Sequence, residues 1–485
     1  MIAIKDVSFA YQGSERDGIE HINLNIAPGE CVLLCGRSGC GKTTVTRLVN
    51  GLIPHFYPGD LSGEVLVDGL NICDTPMYRL SEKVGSVFQN PRSQFFNVDT
   101  DSEIAFGIEN LSYPVEQLRA RVEGTTRELR LEKLRGRGIF ELSGGEKQKI
   151  AFASIHSMSP DIYVLDEPSS NLDVDAIEEL RKTLLLLKRQ GKTILIAEHR
   201  VYYLKDLVDR IVYMDCGKIE SIYTPDQFLS IPVTRRETMG LRTMDLGSVR
   251  YMPKQTVQSL PILEIRDMSL HHKNQTVMSG INLHAARGEI IGVIGHNGAG
   301  KSTFSRALCG LHRGCQGAVL WEGKEINRKQ CLKLCYMVMQ DVNYQLFAES
   351  VEQECCFGIK NPDTALAADT MKELGLYRYR NRHPGALSGG QKQRTAVAVS
   401  MICGKEILIF DEPTSGLDFD SMVQVSKLLS RLAGMGKIIF VVTHDYEFIS
   451  SVCGRVVHFD DKALKGDFTV SEENRKKLQD FFIVA

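Results

Sequence analysis

Short apolar runs that stop abruptly at polar residues set the pattern of this chain. CVLLCG (Cys31–Gly36), DIYVLDE (Asp161–Glu167) and TILIAEH (Thr193–His199) are three of them; IIGVIG (Ile290–Gly295), EILIFDE (Glu406–Glu412) and IIFVVTH (Ile438–His444) are three more. Continuous apolar stretches this short predict strands buried on both faces, as in a parallel sheet covered by helices. The glycine, acid or histidine closing each run falls at a strand tip. An α/β fold follows, with its chemistry along one sheet edge, where open sheets of this kind bind ligands.

The pattern is written twice. GRSGCGKTT (Gly36–Thr44) returns as GHNGAGKST (Gly295–Thr303), LSGGEKQK (Leu142–Lys149) as LSGGQKQR (Leu387–Arg394), and YVLDEPSSNLD (Tyr163–Asp173) as LIFDEPTSGLD (Leu408–Asp418). Lys42 and Lys301 lie 259 residues apart, Gln89 and Gln340 251, and Glu167 and Glu412 245. The first half therefore carries net insertions, and HFYPGDLSG (His55–Gly63), rich in Pro and Gly, reads as a surface loop. The division expected is one domain over 1–228, a linker over 229–260 and a second domain over 261–485. Prolines at 232 and 253 make that linker a partly extended connector rather than a flexible tether.

Composition narrows the setting. At 485 residues the chain exceeds one typical core, and 43% hydrophobic with 24% charged residues is globular composition. A net charge of -2 supplies no global pull toward nucleic acid or anionic lipid. No apolar run approaches a membrane span, and MIAIKDVSFAYQ begins like a strand rather than a secretory signal. The thirteen cysteines form no CxxC pair and read as reduced thiols, with Cys331 and Cys335 at helical spacing read as buried rather than metal-binding. A cytoplasmic location is expected.

The candidate chemistry is nucleotide chemistry. G-x-x-x-x-G-K-[ST] closes a strand and opens a helix in both halves, the setting a phosphate-binding loop requires. Gly36, Ser38, Gly39, Gly41 and Thr44, and their counterparts Gly295, Asn297, Gly298, Gly300 and Thr303, would cradle phosphate oxygens with backbone N–H groups at a helix N-terminus. Lys42 and Lys301 would hold β and γ phosphates of ATP, and Thr43 and Ser302 would offer a hydroxyl to Mg²⁺. Asp166 and Asp411 end buried strands and would reach the Mg²⁺ shell. Glu167 and Glu412, next in sequence, read as the carboxylates that face an attacking water, against the alternative of structural acids at a helix cap.

The order of P-loop, glutamine, LSGGQ-like signature, Asp-Glu strand end, S-x-L-D loop and histidine resembles an ABC ATPase, over essentially the whole chain and twice. The resemblance implies two P-loop NTPase domains, each with a mainly parallel sheet core, an antiparallel β subdomain and a helical signature subdomain. It implies ATP held head to tail, with Ser143, Gly144 and Gly145 completing the site of the second P-loop, and Ser388, Gly389 and Gly390 that of the first. It assigns Gln89 and Gln340 to Mg²⁺ and the water, His199 and His444 to the γ-phosphate, and Asp173 and Asp418 to a bridge between the halves. Tyr11 would stack on adenine; its counterpart is His272, beside His271, so weaker nucleotide binding is expected at the second P-loop. LSGGE for LSGGQ and SNLD for SGLD are treated as tolerated variants, and both sites are expected to hydrolyse ATP.

What such a motor drives is a separate question. FQNPRSQFFNV…DSEIAFGIEN (from Phe88) and its copy MQDVNYQLFAESVEQECCFG (from Met339) resemble the energy-coupling factor branch of vitamin and metal-ion importers, as does EHR at Glu198–Arg200. That resemblance implies a transmembrane scaffold subunit, a small-molecule-binding membrane subunit, and a place on the cytoplasmic face of the membrane. Phe95, Phe96, Leu346 and Phe347 read equally as core filling or as a docking groove for a coupling helix. Two further readings stay open: a tandem ATPase acting on ribosomes, and a sugar-type importer ATPase. The arginine-rich LRARVEGTTRELRLEKLRGRG (Leu118–Gly138) bears on the first, although its alternating charges suit a solvated helical face. A chromosome or DNA-repair ATPase is excluded, because no long coiled coil separates Lys42 from Ser143. The tail EENRKKLQDFFIVA (Glu472–Ala485) is expected as an amphipathic helix laid on the second domain.

Overall fold

Each of the six apolar runs forms a buried strand in the computed structural model, which describes residues 1–13, 18–170, 172–251, 260–273, 275–359, 361–387 and 389–482. In the first half the strand order is Lys218–Tyr223, Arg210–Asp215, Cys31–Gly36, Thr193–Ala197, Ile162–Asp166, Val84–Val87. Only Lys218–Tyr223 runs antiparallel to its neighbour; the other pairings are parallel. The second half repeats this as Cys335–Val338, Ile407–Asp411, Ile438–Val442, Ile290–Ile294, Arg455–Asp460, Ala463–Thr469, with the last strand antiparallel. Strand-end residues of the central strands therefore collect on one edge of each sheet, as the apolar pattern predicts.

A four-stranded antiparallel sheet accompanies each core, built on Ile2–Tyr11 in the first half and Leu263–His272 in the second. The HFYPGDLSG insertion departs from its expectation. His55 closes a short helix and only residues 56–58 are loop, because Gly59–Val67 finds a partner strand and pairs from Tyr11↔Gly59 to Ile2↔Val67. A helical layer completes each half. Thr100–Asn110, Val115–Glu128 and Gly144–His156 close around Ile104, Ile108, Val122, Leu131, Leu142 and Ile150. Val351–Cys356, Thr364–Glu373 and Gly389–Ile402 are the counterparts. The α/β architecture with antiparallel and helical additions is the one expected.

Two units divide the chain, the first ending at Leu246 and the second beginning at Gly247, with Asp418–Asp420 grouped with the first. The connector region is more structured than its prolines suggest: Pro225–Leu229 and Val233–Thr238 are helices, and Met239, Leu241 and Met244 join the core of the first unit. Pro253 lies outside the described residues. In the tail, Arg475–Phe482 is a helix whose Leu478 and Phe482 are buried, as its amphipathic pattern requires; residues 483–485 lie outside the described residues. Cys331 and Cys335 are buried, and Cys335 donates its S–H to the Leu308 carbonyl. Three arginines of the Leu118–Gly138 stretch are engaged locally: Arg121 with the Ser157 carbonyl, Arg135 with Asp101 and Arg137 with Glu146. No helix among the described residues is long and apolar enough to cross a membrane.

Candidate functional site

Both P-loops are shaped by glycines that no other residue replaces cheaply. A Cβ on Gly36 would stand 2.1 Å from the Met214 carbonyl, and one on Gly295 equally close to that of Phe459. Gly39 and Gly298, at φ near +80°, face open space instead, with no atom within 4 Å of a built Cβ. That opening is the cradle in which a phosphate would lie. Lys42 Nζ donates to the carbonyls of Gly36 and Arg37, both at 3.0 Å, and Lys301 Nζ to those of Gly295 at 2.6 Å and His296 at 3.0 Å. Each ammonium is thus buried with loop carbonyls among its partners, groups it could exchange for anionic oxygens.

The strand tips supply the other half of each site. Thr43 Oγ1 donates to Asp166 Oδ1 at 3.2 Å, and Ser302 Oγ to Asp411 Oδ2 at 3.3 Å. Burial raises the pKa of both aspartates, against the pull of those hydroxyls. One residue on, Glu167 and Glu412 take the left-handed backbone conformation, at φ 47° and 50°, and donate their N–H to Ala197 and Val442. A non-glycine residue there is uncommon, and the same glutamate adopts it in both halves. Gln89 Nε2 donates to Glu167 Oε2 at 2.6 Å, and His199 Nε2 stands 3.5 Å from Glu167 Oε1. His444 Nε2 stands at the same distance from Glu412 Oε1. Burial, then the neighbouring charges of Glu198 and Asp166, push Glu167 up to about 8; burial and Lys42 hold His199 well below its usual range.

Other expected residues are placed less centrally. Tyr11 ends its strand with its hydroxyl bonded to Thr44 Oγ1 at 3.1 Å and to Arg47 at 2.9 Å, and its ring edge-on to Phe9 and Tyr57. His272 is exposed, and His271 turns Nδ1 to Thr276. Ser143 caps the Gly144–His156 helix in a capping box with Glu146, so the LSGGE variant has a structural use, and Ser143 and Gly144 are exposed at that helix N-terminus. Gly145 is buried; a Cβ there would press on Ala176. Gly389 and Gly390 open the corresponding helix, while Ser388 lies outside the described residues. Asp173 caps the Val174–Arg189 helix, and Asp418 is buried.

Sequence reasoning missed a pair of buried carboxylates behind the sites. Glu198 accepts from Ser169 N at 3.1 Å, from the Ser169 hydroxyl, from His199 N at 2.8 Å and from Tyr203 OH at 3.0 Å. Asp445 accepts from Thr414 Oγ1 at 2.9 Å and from Phe448 N at 3.1 Å. Ser169 and Thr414 stand two residues beyond the glutamates, so a carboxylate preceding the histidine in one half and one following it in the other hold the same loop. EHR and THD differ in order yet converge in space. The signal lay in the acid beside each histidine.

The segment following each Q-loop glutamine is clamped twice. Gln94 Oε1 accepts from Phe88 N at 3.4 Å and Gln345 Oε1 from Met339 N at 3.0 Å, so these second glutamines hold the backbone just before Gln89 and Gln340. Glu103 Oε2 then accepts from the N–H groups of Phe96 and Asn97 at 3.1 and 2.8 Å, and Glu354 Oε2 from those of Phe347 and Ala348 at 2.7 and 2.6 Å. Both glutamates are buried. The phenylalanines they steady are not: Phe96 and Phe347 are 73% and 71% exposed. Phe96 stacks on Phe106 at 4.8 Å, and Phe357, at the matching position, is also exposed. Phe95 packs against the helical core and Leu346 is half-buried. Each half thus keeps one of the two apolar residues partly buried and presents the other.

Comparison with known proteins names the architecture. The family model described as "ABC transporter" matches residues 19–170 and again 278–415. The chain belongs to this family. A "Putative ABC transporter ATP-binding protein" of Treponema denticola is 47% identical over 99% of both chains. A "Putative HMP/thiamine import ATP-binding protein" of Bacillus subtilis is 29% identical over 96% of this chain and 91% of its own. Among solved structures, a model of ribosome-bound archaeal Pelota and ABCE1 superposes with a TM-score of 0.72, covering 97% of this chain and 80% of that one at 20% identity, a likeness of fold alone.

As an ABC ATPase, the chain has two tandem nucleotide-binding halves and hydrolyses ATP. Domains of this family bind ATP, generally with Mg²⁺, and the donor set fits: an open glycine cradle, a buried ammonium on exchangeable carbonyls, and a hydroxyl paired with an aspartate. Mg²⁺-bound ATP supplies the phosphoanhydride bond and the charge neutralisation. For the chain's own part, Thr43 with Asp166 and Ser302 with Asp411 would offer hard oxygen ligands. Gln89 positions Glu167, and the left-handed Glu167 backbone aims its carboxylate at the same small space His199 borders.

Proposed function

We propose that this ABC ATPase is the motor subunit of an energy-coupling-factor-type importer for a vitamin or metal ion, peripheral on the cytoplasmic face of the membrane. Two ATP molecules with Mg²⁺ sit at head-to-tail sites, each made from one half's P-loop, Asp-Glu strand end and histidine together with the other half's signature. Glu167 and Glu412 are the general bases, and His199 and His444 contact the γ-phosphate. The observation that carries the reading is the loop built in both halves, where a buried glutamate is committed to the backbone of an exposed phenylalanine. The glutamate serves the fold by satisfying loop N–H groups, while the exposed ring it steadies offers a coupling helix of a transmembrane scaffold subunit a fixed apolar contact. The Bacillus subtilis relative, named for HMP/thiamine import, supports the substrate class.

The test is co-expression with the membrane subunits. Phe96→Asp and Phe347→Asp are each expected to reduce co-purification at least about tenfold, since an exposed aromatic anchor is worth about 2 kcal/mol, with hydrolysis by the isolated chain preserved. Phe95→Asp, aimed at the core, is expected to destabilise instead. Undiminished co-purification and transport in both exposed-site variants would defeat the proposal. Salt-dependent sedimentation of the chain with ribosomes would favour the alternative reading.

A further inference from the structure

The second P-loop has a neighbour that the first lacks. His458 lies on the strand Arg455–Asp460 directly beside Ile294, the residue that leads into Gly295 and His296. His458 and Asp460 are two apart on that strand and so share a face. His296 Nδ1 stands 2.9 Å from Asp460 Oδ2, and one nitrogen of each imidazole and one Asp460 oxygen all lie within 4.8 Å of one another. His458 Nε2 is buried and has no hydrogen-bond partner among the described residues. In the first half the same three positions are Arg37, Tyr213 and Asp215, with the guanidinium 3.5 Å from the carboxylate. One half thus neutralises its aspartate with a fixed cation. The other surrounds the aspartate with two nitrogen ligands.

We propose that His296, His458 and Asp460 form a binding site for a divalent transition-metal ion of the zinc class, roofed by Phe481 of the tail helix. Two imidazoles and a carboxylate with an open fourth position suit that ion. A tetrahedral zinc site spaces its nitrogen and oxygen ligands about 3.3 Å apart, so the widest of the three separations need close by no more than about 1.5 Å. The His296 and Asp460 side chains keep 39% and 31% exposure, which leaves an entry path. The Phe481 ring lies 5.2 Å from that of His296 and 4.9 Å from that of His458, an apolar cover of the kind that limits solvent at metal sites. The His296 carbonyl accepts from Lys301 Nζ, so the ion would grip the P-loop next to the lysine that holds phosphate.

The probe is Co²⁺ titrated into the metal-free, nucleotide-free full chain, followed by visible d–d absorption and then by displacement with Zn²⁺. The expected result is one equivalent per chain with no thiolate charge-transfer band, the signature of nitrogen and oxygen ligands. His458→Tyr, which installs the first half's residue, and Asp460→Asn are each expected to weaken binding at least about tenfold, and Phe481→Ala to weaken it less. Circular dichroism of each variant tracks the fold. A Co²⁺ spectrum and affinity identical in wild type and in both ligand variants would overturn the proposal. So would a dominant thiolate band, which assigns the ion to cysteines elsewhere.

Discussion

At the scale of the residue, electrostatic cost concentrates at Glu167, buried beside Glu198 and Asp166. Glu167 is raised to about 8, first by burial and then by Glu198 and Asp166, against an ordinary value of 4.5. A carboxyl raised on folding contributes stability that is complete below pH 4.5 and lost as pH rises through 8, because the unfolded chain ionises freely where the folded site resists. Glu167→Gln removes that dependence. Without nucleotide, the variant and wild type should melt together near pH 4.5, and at pH 8.5 the variant's first transition should be higher by on the order of 3 kcal/mol, about 6–12 °C. A shift of the same size at both pH values would refute this origin of the cost. Glu198 works in the opposite sense, since its burial is repaid by four hydrogen bonds. Glu198→Ala leaves Ser169, His199 and Tyr203 donors unpaired and should cost the first unit about 3–5 kcal/mol in urea denaturation. A loss under 1 kcal/mol would mean that water replaces the carboxylate.

At the scale of the element, what the sequence made legible follows from how local its causes are. The central strands announced themselves because burial on both faces demands an unbroken apolar run, and the P-loops because strand, glycine turn and helix lie contiguous in the chain. The strand Gly59–Val67 was hidden because its pairing partner Ile2–Tyr11 is distant in sequence, while Pro58 and Gly59 spoke locally for a loop. The helices after Tyr223 and the burial of Leu241 and Met244 were hidden for the same reason: prolines report a chain break, not what the next turn packs on. Composition left Phe95 and Phe96 indistinguishable. What separates them is Glu103, seven residues beyond Phe96, whose carboxylate fixes the loop so that one ring points in and the next points out. The repeat supplied the missing clue, since Glu354 stands seven residues beyond Phe347. Glu103→Ala should therefore weaken membrane-partner binding without touching Phe96, and Glu103→Gln, which keeps one acceptor, should weaken it less. Equal losses in the two would show that fold disruption, not loop aim, is being measured.

At the scale of the whole molecule, the halves share a fold and a set of site residues but differ in what surrounds them. Tyr11 is a fixed ring, its hydroxyl tied to Thr44 and Arg47, whereas His272 is an exposed imidazole. A preset aromatic ring loses little freedom when a base stacks on it, and stacking of this kind is worth about 0.5–1.5 kcal/mol. The chain with Lys301→Ala, binding through the first P-loop, should accordingly hold ATP about 3–10-fold more tightly than the chain with Lys42→Ala. His272→Tyr placed on the Lys42→Ala background should recover part of the difference, because it restores the ring without altering the phosphate cradle. Isothermal titration with Mg²⁺-ATP reads both comparisons, on protein stripped of transition-metal ions, since such an ion on His296 would alter the second loop independently. Equal affinities in the two lysine variants would show that the base is held elsewhere and that the halves are equivalent binders despite their different walls.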